Sequence, residues 1–127
     1  MKRFKTDNAP AAIGPYAQAV IHNGLIYISG QIPVDPATGE IVSDDVKDQA
    51  HQVMKNLGAI LQESGSGYHM VIKSSIFLKS MDDFADINQI YGQYFQGENL
   101  PARETVEVSR LPKDVKIEIS MIAALLH

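Results

Sequence analysis

Two charged residues near the end of the sequence, Arg103 and Glu118, are of the types that bind a carboxylate and activate water. The planar guanidinium of arginine grips a carboxylate through two parallel hydrogen bonds, and a glutamate can serve as a general base. Both residues lie in stretches where apolar and polar side chains alternate, as in a β-strand with one buried face. The pair therefore suggests capture of an acidic substrate beside a water molecule that a carboxylate deprotonates.

The alternation also predicts how the two residues come together. In both stretches the apolar residues take one parity, and the polar residues that include Arg103 and Glu118 take the other. A turn centred on Leu111-Pro112 would join the stretches as a hairpin and pair Thr105 with Glu118, with Arg103 as a diagonal neighbour. We therefore expect Arg103, Glu118 and Ser29 on one face of the sheet, a face that a second subunit partly covers.

The rest of the sequence predicts an α+β fold of order β-β-β-α-β-α-β-β, with two helices packed on one face of a sheet. The Asn23-Gly24 pair between two apolar runs indicates a β-hairpin. An apolar stripe at helical spacing follows Ser43-Asp44, which can cap a helix that Gly65 is placed to end. A strand over 70–78 and a second helix starting near 80–82 precede the terminal hairpin.

Composition and charge exclude several classes of function. The 127 residues are 45% hydrophobic and 20% charged, which fits one globular domain over residues 1–127. A net charge of -4 without a block of Lys and Arg argues against a nucleic-acid partner. The absence of cysteine excludes disulfides, thiolate ligands and a cysteine nucleophile. The basic N-terminus leads into no apolar run, and the longest such run, 121–126, is too short to cross a bilayer, so we expect a cytoplasmic protein without a membrane partner.

Four motifs carry a resemblance to a known family: Gly14-Pro15-Tyr16-Ala17-Gln18-Ala19, Ser29-Gly30-Gln31-Ile32-Pro33, Asn88-Gln89-Ile90-Tyr91-Gly92-Gln93-Tyr94-Phe95, and the stretch from Pro101 to Glu118. They span nearly the whole chain and resemble the reactive intermediate deaminases, the RidA/YjgF family of enamine and imine deaminases. The resemblance implies a chorismate-mutase-like fold and a homotrimer with a ligand site in each cleft between subunits. It further implies hydrolysis of 2-imino acids, such as 2-iminobutanoate and 2-iminopropanoate, to 2-oxo acids and ammonia, without a cofactor or metal.

The resemblance also implies roles for individual residues. Arg103 would bind the substrate carboxylate, Glu118 would handle the attacking water, and Tyr16 would assist with its hydroxyl. The substrate pocket would also be lined by Ser29, Gly30, Asn88 and Thr105. Thr105 departs from the family pattern, because many members have Cys at this position. That residue is thought to act mainly through its backbone, so we expect Thr to be tolerated.

Each of these residues also has an ordinary structural explanation. Arg103 and Glu118 could be solvated strand residues, Tyr16 could cover the edge of the core, and Asn88 could be satisfied by backbone groups. Ser29-Gly30 is a weak signal by itself.

The function has alternatives as well. A non-catalytic module that binds small 2-oxo acids and regulates a partner would need Arg103 but not Glu118. An RNA-cleaving translation inhibitor, also suggested for members of the family, is disfavoured by the acidic charge and by the lack of paired catalytic histidines. The four histidines have no metal-ligand spacing, and a chaperone-like role stays open.

Overall fold

The computed structural model describes residues 1–126. It contains six strands and two α-helices: β1 (Lys2–Phe4), β2 (Ala19–His22), β3 (Leu25–Gln31), α1 (Val46–Glu63), β4 (Val71–Leu78), α2 (Phe84–Gly92), β5 (Ala102–Glu107) and β6 (Ile117–Ala124). The strands form one mixed sheet of order β1-β2-β3-β6-β4-β5. Both helices cover the same face of this sheet. The element order and the α+β fold class are those that the sequence predicts.

Local signals explain the first hairpin and the first helix. Asn23 and Gly24 have φ angles of 51° and 77°, the left-handed conformations that a tight turn between β2 and β3 requires. α1 begins a residue or two later than predicted, because the side chain of Asp45 accepts a hydrogen bond from the amide of Lys47 and caps the helix. Gly65, at φ 93°, follows the last turn as predicted.

The core lies between the sheet and the two helices. Alternate residues of the central strands are almost fully buried against α1 and α2: Ser74, Ile76, Leu78, Ile117, Ile119, Met121 and Ala123. The buried polar side chain of Asn56, on α1, donates hydrogen bonds to the carbonyl oxygens of Ile32 (3.2 Å) and Val34 (3.0 Å). These bonds fix the loop that leaves β3, next to Gly30.

The predicted terminal hairpin is wrong. β5 and β6 are not neighbours: β4 lies between them, parallel to β5 and antiparallel to β6. Parallel strands need a crossover connection, and α2 supplies it between β4 and β5. The chain then passes across the end of β4, where Val108 donates to the carbonyl of Leu78 and Lys79 to that of Lys116.

The predicted faces of β5 are inverted as well. Arg103 pairs with Ser74, and Thr105 with Ile76, so both point to the helix-covered face. Val106, which the alternation predicts to be in the core, is 43% exposed on the opposite face. β5 is an edge strand that stays exposed apart from the partly buried Thr105. Polar residues are therefore accommodated on its helix side, and the apolar parity does not mark the core.

Candidate functional site

Arg103 presents an unpaired cation at the edge of the sheet. Its Cζ lies 5.2 Å from the ring centroid of Tyr91 and 5.8 Å from that of Phe84, both on α2. Within residues 1–126, none of the carboxylates forms an ion pair with it. The aromatic faces attract the guanidinium but leave its N–H donors free, so the donor fork is available to an anionic ligand.

A cleft next to Arg103 contains an unsatisfied acceptor. Its lining is formed by Asn88, Tyr91, Gly92, Leu100, Pro101 and Arg103. The side-chain oxygen of Asn88 is buried without a hydrogen-bond partner, and so is the hydroxyl of Thr105, two residues along the same face of β5. Buried polar atoms are nearly always hydrogen-bonded. The cleft therefore combines a free cation with an acceptor that a ligand donor could satisfy.

Glu118 lies on the other face of the sheet, where it pairs with Phe77. Its side chain is half-buried, and desolvation raises the pKa of its carboxyl group. The register shifts between Ile28 and Gln31, which brings Gly30 beneath the carboxylate. A Cβ on residue 30 would lie 2.7 Å from Cδ of Glu118, so glycine is required for this close approach.

Tyr16 and Ser29 belong to the Glu118 side of the molecule. Tyr16 shares with Gly30 and Lys113 the lining of a cavity of about 260 Å³, and the phenol is 53% exposed. Its hydroxyl accepts a weak hydrogen bond from the amide of Ile13 at 3.4 Å. The hydroxyl of Ser29 donates to the carbonyl of Ala17 at 2.6 Å, so this side chain ties the Tyr16 loop to β3.

One chain thus holds two groups of candidate residues that do not meet. Arg103 pairs with Ser74 and Glu118 with Phe77, three positions apart on β4 and hence on opposite faces. Strand rise and spacing put the two Cα atoms roughly 14 Å apart, with side chains that point away from each other. The expectation that Arg103 and Glu118 share one face is therefore wrong, and so is the pairing of Thr105 with Glu118.

The structure adds two aromatic residues that the sequence did not single out for function. Phe84 and Tyr91 are seven positions apart, and their spacing on α2 reads as an ordinary core stripe. The contact with Arg103 depends on β5 lying beside β4, which no local pattern reports. In residues 1–126 no three His, Asp or Glu side chains gather in a metal-binding cluster. No helix in that part of the chain combines the length and the hydropathy needed to cross a membrane.

The mixed sheet under two helices carries a free arginine at one edge and a half-buried glutamate on its open face. The chain is therefore an α+β protein with a candidate site for a small anionic ligand. Residues 6–125 match the family model described as Endoribonuclease L-PSP. The chain therefore belongs to this family, which includes the RutC and reactive intermediate deaminase proteins.

Several relatives resemble the chain over nearly its whole length. A RutC family protein of Pyrococcus horikoshii is 56% identical over 118 residues, which are 93% of each chain. A rat protein named 2-iminobutanoate/2-iminopropanoate deaminase is 48% identical, over 96% of this chain and 88% of its own. A Lactococcus lactis protein named as the putative regulator AldR is 54% identical, over 97% of both.

Solved structures agree with the fold. The crystal structure of Escherichia coli TdcF with bound serine superposes with a TM-score of 0.93 at 44% identity, over 99% of this chain and 100% of the other.

Proposed function

We propose that this protein hydrolyses reactive 2-imino acids, in equilibrium with their enamines, to 2-oxo acids and ammonia. The observation that carries the proposal is the unpaired guanidinium of Arg103 beside the unsatisfied oxygen of Asn88. A 2-imino acid offers a carboxylate for the first and an N–H donor for the second. The deaminase names of relatives at 47% to 48% identity support the same chemistry. The proposal requires no cofactor or metal.

The site would be completed between copies of the chain, in a homotrimer. Arg103 and Glu118 lie on opposite faces of one sheet, so a site that uses both needs Arg103 from one copy and Glu118 from the next. The open face exposes 43% of both Tyr27 and Val106, which favours a partner surface there. Head-to-tail contacts form a ring when the rotation between successive copies closes, and the number three rests on the family resemblance.

Each residue has a step in the reaction. Arg103 binds the substrate carboxylate and holds the imine carbon near a water molecule. The side-chain oxygen of Asn88 accepts a hydrogen bond from the imine N–H. The ketone oxygen of the product has no hydrogen and cannot donate such a bond. Tyr16, on the same side as Gly30, would orient the water with its hydroxyl. Thr105 and Ser29 would line the pocket, Thr105 through its backbone.

Glu118 carries the protons. Its carboxylate takes one from water as the oxygen bonds to carbon, and the electron pair of the C=N bond moves to nitrogen. The carboxyl group returns that proton to nitrogen, giving a carbinolamine. It then takes the hydroxyl proton as C=O forms and delivers it to nitrogen as the C–N bond breaks, so ammonia leaves. Burial keeps the pKa of Glu118 above its ordinary value, which suits a group that alternates between base and acid.

A coupled assay tests the proposal. Threonine dehydratase generates 2-iminobutanoate, and the rate of 2-oxobutanoate formation is followed with wild type, Arg103→Ala and Arg110→Ala. Arg110 is a matched control, because it is an exposed arginine paired with Asp114 outside both groups of site residues. We expect acceleration by wild type and Arg110→Ala only. Equal acceleration by Arg103→Ala would contradict the assignment of the site, and none by wild type would contradict the function.

The second candidate function is a non-catalytic module that binds small 2-oxo acids and regulates a partner. It is favoured by the free guanidinium of Arg103, which suffices for binding a carboxylate, and by the regulator name of the Lactococcus relative. Glu118→Gln separates the two. If the protein is an enzyme, Glu118→Gln loses turnover and keeps its affinity for 2-oxobutanoate. If the protein is a binding module, the wild type already binds 2-oxobutanoate without hydrolysing the imine.

A further inference from the structure

We propose that Tyr91 is the positioning residue for Arg103, held in place by Ser74 and assisted by Phe84. The inference deepens the proposed function and rests on it for its catalytic consequence. The placement of the guanidinium itself stands on the geometry alone.

Arg103, Ser74 and Tyr91 form a closed arrangement. Ser74 is the direct strand partner of Arg103, and its side chain is fully buried under α2. The hydroxyl of Tyr91 donates a 2.8 Å hydrogen bond to Oγ of Ser74, and the ring is 6% exposed. The face of that ring then contacts the guanidinium of Arg103, 5.2 Å from Cζ to the centroid. The backbone partner of Arg103 thus fixes the surface on which the arginine side chain rests.

This arrangement solves a problem specific to a ligand-binding arginine. A carboxylate neighbour would hold the side chain still but would occupy its donors and neutralise its charge. Aromatic faces attract the cation without using its N–H groups, and Phe84 contacts it at 5.8 Å as well. The long, flexible side chain is therefore ordered in advance while the fork stays free, which lowers the entropic cost of binding.

The ordinary alternative is that Tyr91 only fills the core. It packs against Phe95 with a centroid distance of 4.7 Å, within a cluster that continues to Tyr68 and Tyr94. A tyrosine that only fills the core would affect stability on substitution, with no selective effect on ligand affinity. Tyr94 is a matched control, since it belongs to the same cluster and hydrogen-bonds His51, but its ring is not one of the two that face the guanidinium of Arg103.

The test compares Tyr91→Leu, Tyr91→Phe and Phe84→Leu with Tyr94→Leu and wild type. Calorimetry gives the affinity for 2-oxobutanoate, and the coupled assay gives kcat and KM. We expect Tyr91→Leu to weaken binding about tenfold and to raise KM more than it lowers kcat. Tyr91→Phe, which keeps the ring, should recover most of the affinity, and Tyr94→Leu should bind as wild type does.

A nuclear magnetic resonance measurement decides the placement without a ligand. The Nε–H signal of Arg103, assigned by its loss in Arg103→Ala, should be shifted by the aromatic ring currents. It should move toward the position of a solvated arginine in Tyr91→Leu and not in Tyr94→Leu. If Tyr91→Leu does not fold, Phe84→Leu carries the same expectations with smaller changes.

Failures of the inference and of the function are distinguishable. The inference alone is overturned if the wild type hydrolyses imine and Tyr91→Leu matches it both in affinity for 2-oxobutanoate and in the Nε–H signal of Arg103. A wild-type protein that hydrolyses no imine overturns the function, while the signal still shows whether Tyr91 positions Arg103.

Discussion

The carboxylate of Glu118 rests on the bare backbone of Gly30, and a Cβ at residue 30 would approach Cδ of the glutamate to 2.7 Å. The contact joins the end of β3 to the start of β6 and depends on the shift in register after Ile28. It gives Gly30 a defined task, which is to leave room for the group that we propose as the base.

Gly30→Ala should therefore displace Glu118 and reduce turnover by about 10²-fold or more, as expected when a general base is moved away. The fold should persist, because Gly30 is exposed and the clash involves a flexible side chain. Turnover of the imine and the circular dichroism spectrum are the measurements. In a Glu118→Gln background, Gly30→Ala should lower turnover little further. A full additional loss of turnover there would show that the effect of Gly30→Ala does not come from its contact with Glu118.

Glu118→Gln should lower kcat by about 10²- to 10⁴-fold with little change in affinity for 2-oxobutanoate. Because burial raises the pKa of Glu118, the acid limb of the wild-type kcat profile should lie above the ordinary range for a glutamate. In the enzyme–substrate complex the substrate carboxylate neutralises the charge of Arg103, so this cation no longer opposes the raised pKa of Glu118. The pH dependence of kcat, which reports on that complex, is therefore the profile to follow. A limb at or below that range would contradict a desolvated base.

The same raised pKa predicts a pH dependence of stability. The folded state keeps a proton on Glu118 at a pH where the unfolded chain has lost it, so the free energy of unfolding falls as pH rises through that window. Glu118→Gln removes this dependence, so its stability relative to wild type at the same pH should be greater above the window than below it. Urea unfolding of both proteins across pH is the measurement, and parallel curves would contradict the desolvation.

Mixing two inactive variants tests whether sites form between copies. In a ring, an Arg103→Ala copy next to a Glu118→Gln copy regenerates one intact site, because each supplies the residue that the other lacks. Random mixing into trimers should restore about a quarter of the wild-type sites. The variants are refolded together and assayed against each alone. Recovery of no activity, with mixing confirmed by native mass spectrometry, would contradict a site that takes Arg103 from one copy and Glu118 from the next.

Thr105→Val should be tolerated. The hydroxyl of Thr105 is buried without a partner, so its replacement by an isosteric methyl should leave the free energy of unfolding unchanged or raise it by about 1 kcal/mol. Turnover should stay within a fewfold, because the position is expected to act through its backbone, and Thr105→Cys serves as the control. A large loss of turnover in Thr105→Val alone would show that the hydroxyl contacts the substrate.

Much of the fold follows from local signals in the sequence. Asn23-Gly24 has the backbone conformations that its turn requires, α1 begins at an aspartate cap, and the apolar parity of β6 marks the buried face. The residue types of the candidate site, a guanidinium and a carboxylate in alternating strands, are likewise visible in the sequence.

The tertiary structure decided where those residues meet. Alternation predicts which side chains of a strand share a face, but it does not predict which strand lies next to it. It also does not predict which of the two faces points to the helices when an edge strand such as β5 stays largely exposed. β5 pairs with β4 because α2 can bridge a parallel connection, and β6 is drawn between β3 and β4, where its apolar face is fully buried. These long-range pairings put Arg103 and Glu118 on opposite faces. The sequence does not predict this outcome, because strand order depends on packing over the whole sheet and not on the residues next to each strand.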